Sequence, residues 1–443
     1  MEVFIFVFLG ILFNIIGYEY LVESGESIVV LFNVFEIINI SILIYYWKKN
    51  VKLNFIFVYL FFWWFVYNSL GLIRMSYIKK YTTEELWISY SFLIVSTLLL
   101  QSGILISRNI KATGYSFIAN FKISKITYYI VSLLYLAFVA YTIVLGGGIT
   151  AFFLADYQDK GGAENKTLLF VLTGFFTCFK SLNLPYYFSK DKNDPSKLVV
   201  YSYFLLLLIM SVASGSSLGI MGLGISMLFY RYLSISKEKE LSILKKYIYF
   251  MLGFGLIAGM LIRFNRNNYS EFSFDVLKDA KENVFSSPTF DSTGNLIYIY
   301  NNLDPIYQPN QMIYPFVNFL PRATFTWKPM ELGRILSYKL YGFESESIGG
   351  FAPTPMGEFY YDFGLLGVFL GMIVLGYAIG LIQYKINATP ESKWRKVFLV
   401  TIAGLTATLP AWYTGFGVRL VYFILFMWVV IKIEKVYSVL RFK

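Results

Sequence analysis

Histidine is absent from this chain of 443 residues. Its absence removes imidazole acid–base catalysis and histidine-ligated metal sites from the functions open to the protein. There is one cysteine, Cys178, so no disulfide can form within the chain. Charge is scarce: Asp, Glu, Lys and Arg make up 15% of the residues, where roughly a quarter is ordinary for soluble domains. There is no P-loop, no Gly-x-Gly-x-x-Gly after a strand, no Gly-x-Ser-x-Gly, no Cys/His cluster and no repeat of solenoid period. The net charge of +11 suggests nucleic acid at first sight, but the basic residues sit mostly in short segments between apolar runs, where they set membrane orientation instead.

What the chain does have is apolar length. Hydrophobic residues make up 57% of it, and many stretches of about 18 to 20 residues carry no charge, enough to cross ~30 Å of hydrocarbon. We therefore expect an all-α polytopic membrane protein of about 12 transmembrane helices. The expected spans lie near 1–18, 28–47, 53–73, 86–106, 127–145, 167–188, 198–213, 217–233, 247–263, 363–384, 397–413 and 418–434. The first is read as a span and not as a removed leader, since no basic residue precedes it and no small-residue cleavage site follows. Placing the N-terminus in the cytoplasm puts most of the basic residues of short loops inside, among them Lys48, Lys122, Lys197, Lys393 and Lys435. Both termini are then cytoplasmic. The organisation expected is nine spans over 1–263, a long outer loop over 264–362 and three C-terminal spans over 363–443.

The loop is the outlier of this map, because it is longer than a connector needs and apolar enough to fold. Within it, Glu271, Asp275, Asp279 and Glu282 fall on one helical stripe. The stripe is either the solvated face of a surface helix or a divalent-cation site, with Lys278 and Lys281 interrupting it. Lys180 lies inside the sixth expected span and either faces a cavity or pairs with Glu36. Arg263, Arg266, Arg322, Lys328 and Arg419 cluster at the outer ends of spans or in the loop. Guanidinium groups suit phosphate, and the competing role is anchoring to anionic lipid head groups. Glu358 and Asp362 are four residues apart, so a helix places them on one face; their other role is to favour the dipole of their own helix N-terminus. Pro353 and Pro355 are expected to keep this approach non-helical, and Gly364 and Gly367 to allow close packing.

The segment from Leu320 to Gly367 resembles the O-antigen and capsule repeat-unit polymerases of the Wzy type. The resemblance rests on Pro321-Arg322, Lys328-Pro329, Gly333 ten residues beyond the arginine, Pro355, Gly357-Glu358-Phe359, and Phe363-Gly364 with Gly367. The chain departs from the pattern at Ser214 to Ser217, where many members carry an arginine. The resemblance implies a GT-C-like membrane glycosyltransferase with one long periplasmic loop in the bacterial inner membrane. It implies undecaprenyl-pyrophosphate-linked oligosaccharides as donor and acceptor, contact with membrane lipids, a chain-length regulator as a partner, and neither nucleic acid nor a cofactor or metal. It also implies roles. Glu358 or Asp362 is the candidate base for the acceptor hydroxyl, the cationic residues bind the lipid pyrophosphate, and Tyr360 and Tyr361 line a sugar path or serve as packing. The alternatives are a lipid-linked oligosaccharide flippase or transporter, for which two related halves and short loops are expected, and an O-antigen ligase.

Overall fold

The computed structural model describes residues 21–23, 25–49, 54–64, 67, 81–109, 123–145, 178–189, 191–213, 217–235, 240–244, 246–248, 292–320, 324–341, 353–388, 392–406 and 413–441. The first expected span, Arg263, Arg266, the carboxylate stripe from Glu271 to Glu282, Pro321 and Arg322 lie outside these residues. Among the described residues all regular structure is helical. In chain order the helices are α1 (Glu26–Lys49), α2 (Phe55–Trp64), α3 (Thr83–Asn109), α4 (Lys125–Leu145), α5 (Phe179–Tyr187), α6 (Lys197–Ala213) and α7 (Ser217–Ser234). They continue with α8 (Ser292–Asn302), α9 (Asn310–Val317), α10 (Leu332–Tyr341), α11 (Pro355–Asn387), α12 (Lys393–Thr406) and α13 (Tyr413–Arg441).

Five helices among the described residues are long and apolar enough to cross a bilayer: Glu26–Trp47, Thr83–Arg108, Lys125–Val144, Pro355–Asn387 and Thr414–Val439. Phe55–Trp64 and Lys197–Met210 are apolar but shorter. A helix satisfies its own backbone hydrogen bonds, which hydrocarbon requires. The outward faces agree with that setting. On α11, Leu365, Leu366, Phe369, Leu370 and Val374 are exposed, while Gly367, Val368, Met372, Leu375 and Gly376 are buried. Such an apolar stripe is costly against water and natural against lipid tails. The protein is a multi-pass membrane protein.

Side-chain pairings fix the relative directions of the helices. α1 and α3 run parallel: the rings of Phe32 and Tyr90 meet at 5.7 Å, and further along Gln101 donates to the Tyr46 hydroxyl at 2.8 Å. α2 runs against them, with its first N–H, that of Phe55, donating to Gln383 at 2.6 Å and the indole of Trp63 to Thr97 at 3.0 Å. α4 opposes α5 through Tyr128 with Asn183 and Tyr135 stacked on Phe179. The N–H of Ser124, just before α4, donates to Glu434 near the end of α13 at 2.7 Å. α3 and α11 are parallel and very close, because glycines replace side chains at their crossing. Gly103 faces the backbone of Ile373 and Tyr377, Gly376 faces Leu100, and Gly380 faces Ser107.

These pairings sort the polar residues to two ends. At one end Lys393 pairs with Asp194 at 2.7 Å, and Lys197 donates to the carbonyls of Tyr186 and Tyr187 that close α5. At the other, the loop end, Thr82 and Glu85 form a capping box at the start of α3. Glu85 then accepts from Asn301 of α8 at 3.1 Å, tying the loop to a spanning helix.

Candidate functional site

The segment expected to descend without helix into the tenth span is helical from Pro355 onward. Pro355 does not oppose this, since the first helical turn needs no N–H from it. Thr354 is the N-cap, its hydroxyl accepting from the Gly357 N–H at 3.1 Å. The helix is broken at Gly364, whose φ of 64° and ψ of −152° belong to a region that only glycine enters readily. The chain turns back on itself there. Along a straight helix Phe359 and Gly371 stand roughly 18 Å apart, yet an added Cβ at Gly371 would press on the Phe359 ring, and one at Gly367 on the Phe359 carbonyl. α11 is thus a short arm, 355–363, folded against a long stem, 365–387. Gly364 makes the turn, and Gly367 and Gly371 form the groove that receives Phe359.

The arm carries both acidic residues of the segment, and both are fully buried. Glu358 accepts from the backbone N–H of Thr414 at 3.0 and 3.1 Å and from the Thr414 hydroxyl. Asp362 accepts from the N–H groups of Gln311 at 2.9 Å and Met312 at 3.2 Å, with Asn310 also donating. Each carboxylate therefore closes on the N-terminus of another helix, Glu358 on α13 and Asp362 on α9, where unpaired N–H groups and the helix dipole favour negative charge. Glu358 also stands in the first turn of its own helix, as the sequence expectation has it, whereas Asp362 lies beyond that turn and serves another helix. As the residues stand, neither carboxylate presents a free oxygen to an incoming hydroxyl.

α9 is bracketed by charge. Asp362 holds its N-terminus, and Lys328 donates to the carbonyls of Asn318 at 2.7 Å and Leu320 at 3.0 Å just past its C-terminus. The same ammonium sits 5.6 Å from the Tyr314 ring. Lys328, expected to meet a pyrophosphate, is a buried capping residue here. Gln311 links the next piece: its side chain donates to the Met330 carbonyl at 3.0 Å and accepts from the Leu332 N–H at 2.9 Å. Pro329 and Gly333 thus flank the turn that starts α10, and Gly333 is buried and accepts from the Ser337 hydroxyl. An added Cβ at Gly357 would come within 2.6 Å of Ile299 on α8.

Arg419 lies in the second turn of α13 and is exposed. One turn on, Tyr422 accepts from Asn318, and Gly417 packs on Pro315. Lys180 is within electrostatic reach of Arg419, and no ion pair joins Lys180 to Glu36 among the described residues. Glu36 instead accepts from the Trp64 indole. No group of three or more His, Cys, Asp or Glu placed to hold a metal ion occurs among the described residues.

Several residues of this site carry no signal by type or spacing. Gln311, Thr414 and Thr354 are ordinary polar residues in the sequence. Asp304-Pro305 is a turn signal, but its place against Gly364 depends on the fold. Comparison of the chain with protein-family models, curated proteins and solved structures finds no match.

Proposed function

We propose that this protein is a membrane glycosyltransferase that joins undecaprenyl-pyrophosphate-linked oligosaccharide repeat units into O-antigen or capsule polysaccharide. It works in a twelve-span, GT-C-like frame in the bacterial inner membrane, with the loop end at the periplasmic face and both termini in the cytoplasm. The observation that carries the proposal is convergence. The two separated parts of the polymerase-like segment, Lys328 to Gly333 and Gly357 to Gly367, are joined through α9, by Gln311 on one side and Asp362 on the other.

In the reaction an acceptor sugar hydroxyl attacks the anomeric carbon of the donor chain. A new glycosidic C–O bond forms, the hydroxyl proton passes to a base, and the bond to the lipid pyrophosphate breaks with its electron pair. Charge that develops on the leaving group calls for fixed cations. Arg419 supplies a positive charge at the loop end, and Arg263, Arg266 and Arg322 are the further cations of this reading. Glu358 and Asp362 act as positioning residues, holding the arm of α11 to α13 and α9.

Deletion of the gene followed by analysis of the surface glycan tests the proposal. A polymerase loss leaves single repeat units on the acceptor. Absence of any repeat unit points to a flippase, and polymer retained on undecaprenyl pyrophosphate points to a ligase.

A further inference from the structure

At the loop end, three half-buried aromatic rings form a cluster. Tyr300 of α8 and Tyr360 of the α11 arm are 5.2 Å apart at 37°, and Phe92 of α3 stands 5.9 Å from Tyr300 and 6.5 Å from Tyr360. Beside them the turn after α8 runs along Gly364: the Ile306 N–H donates to the Tyr361 carbonyl at 2.9 Å, and Pro305 and the Tyr307 hydroxyl lie next to Gly364. Tyr307 has a φ of 51°, in the left-handed region that bulky residues avoid. Its side chain is 72% exposed, so packing does not explain the strain. Tyr360 is within electrostatic reach of Tyr300, Tyr307 and Asp304. Among the described residues the hydroxyls of Tyr300, Tyr307 and Tyr360 and the Asp304 carboxylate have no hydrogen-bond partner. Glu85 and Asn301 edge the same shallow crevice and are bonded to each other.

We propose that Tyr300, Tyr307, Tyr360 and Asp304 form a carbohydrate-binding rim, which takes a sugar unit of the acceptor or donor chain. The proposal rests on the glycosyltransferase reading above and adds where the glycan sits. The chemistry selects the ligand class. Flat rings offer faces for the C–H side of a pyranose, while tyrosine hydroxyls, a carboxylate and an amide offer partners for its hydroxyls; tyrosine does both at low conformational cost. Among the described residues the charges beside the rings, Asp304 and Glu85, are negative, so the rim suits the neutral sugar portion of the substrate. The pyrophosphate needs cations and belongs near Arg419.

The test uses the full-length protein in lipid nanodiscs, titrated with free oligosaccharide released by mild acid from the lipid-linked repeat unit of the deletion strain. Calorimetry or ligand-observed NMR reads binding. The expected result is saturable binding by the parent protein, weakened about tenfold or more by Tyr307→Ala and by Asp304→Asn. Both residues are exposed, so these variants keep the fold; Tyr300→Ala is expected to lose binding as well. Absence of saturable binding by the parent at millimolar sugar, or equal binding by parent and variants, overturns the rim. So does a signal from tetramethylammonium, without one from sugar, that depends on Tyr307. The polymerase reading is tested separately by the glycan of the deletion strain. Normal polymer there sinks that reading whatever the rim binds, while lost polymer together with unchanged binding in the variants sinks the rim alone.

Discussion

Glu358 shows how one residue serves the fold. It stands four positions before Asp362 in the sequence, and that spacing alone places both on one face of a helix. The partners are another matter: Thr414 is 56 residues away and Gln311 is 51 residues from Asp362. No local pattern encodes a cap supplied by a different helix, so this part of the site was not legible in the sequence. The consequence is testable. Glu358→Ala leaves the Thr414 N–H and hydroxyl without their acceptor in a sealed place, at a cost of about 1–3 kcal/mol. Glu358→Gln keeps an acceptor oxygen but removes the charge that favours the α13 N-terminus, and is expected to cost less than the alanine variant. Thermal unfolding of the purified protein in detergent should rank parent above glutamine above alanine. Equal midpoints for all three would show that the cap contributes nothing.

At the scale of the element, α11 is the organising piece. Its apolar length was legible as a span beginning near 363, and Gly364 and Gly367 were legible as sites of close packing. The arm was not, because Pro353 and Pro355 read locally as helix breakers, whereas one proline at the first helical turn and a threonine cap start a helix instead. The reversal depends on a backbone angle at Gly364 that residue type permits but does not announce. The stem's seam with α3 is likewise set by glycines that face backbone. Gly376→Leu is expected to force the helices apart and lower the unfolding midpoint by several degrees, an overpacking cost of about 1–3 kcal/mol. Gly404→Ala is the control, since among the described residues its added carbon meets only the Ser226 hydroxyl at 3.9 Å. A Gly376→Leu protein with the parent's midpoint would contradict the close seam.

For the whole molecule, membrane class and helical architecture followed from apolar length and scarce charge. The meeting of Lys328, Gln311, Asp362, Glu358 and Thr414 at one end required the fold. Parallel α1, α3 and α11, with α2 opposed, match the alternation that the span order demands. In the proposed orientation a cysteine at Trp327, 61% exposed at the loop end, reacts with a membrane-impermeant maleimide in intact spheroplasts, and one at Val439, 59% exposed near the end of α13, reacts only after lysis. The native Cys178 is buried and contributes no background. The opposite pattern would invert the topology and move the loop end to the cytoplasm. The most direct test of function is reconstitution: the purified protein in liposomes, supplied only with undecaprenyl-pyrophosphate-linked repeat units. The expected result is a ladder of lengthened chains together with release of undecaprenyl pyrophosphate in proportion to the bonds formed. Repeat units that remain single, with no pyrophosphate carrier released by a correctly folded protein, would contradict the proposed function.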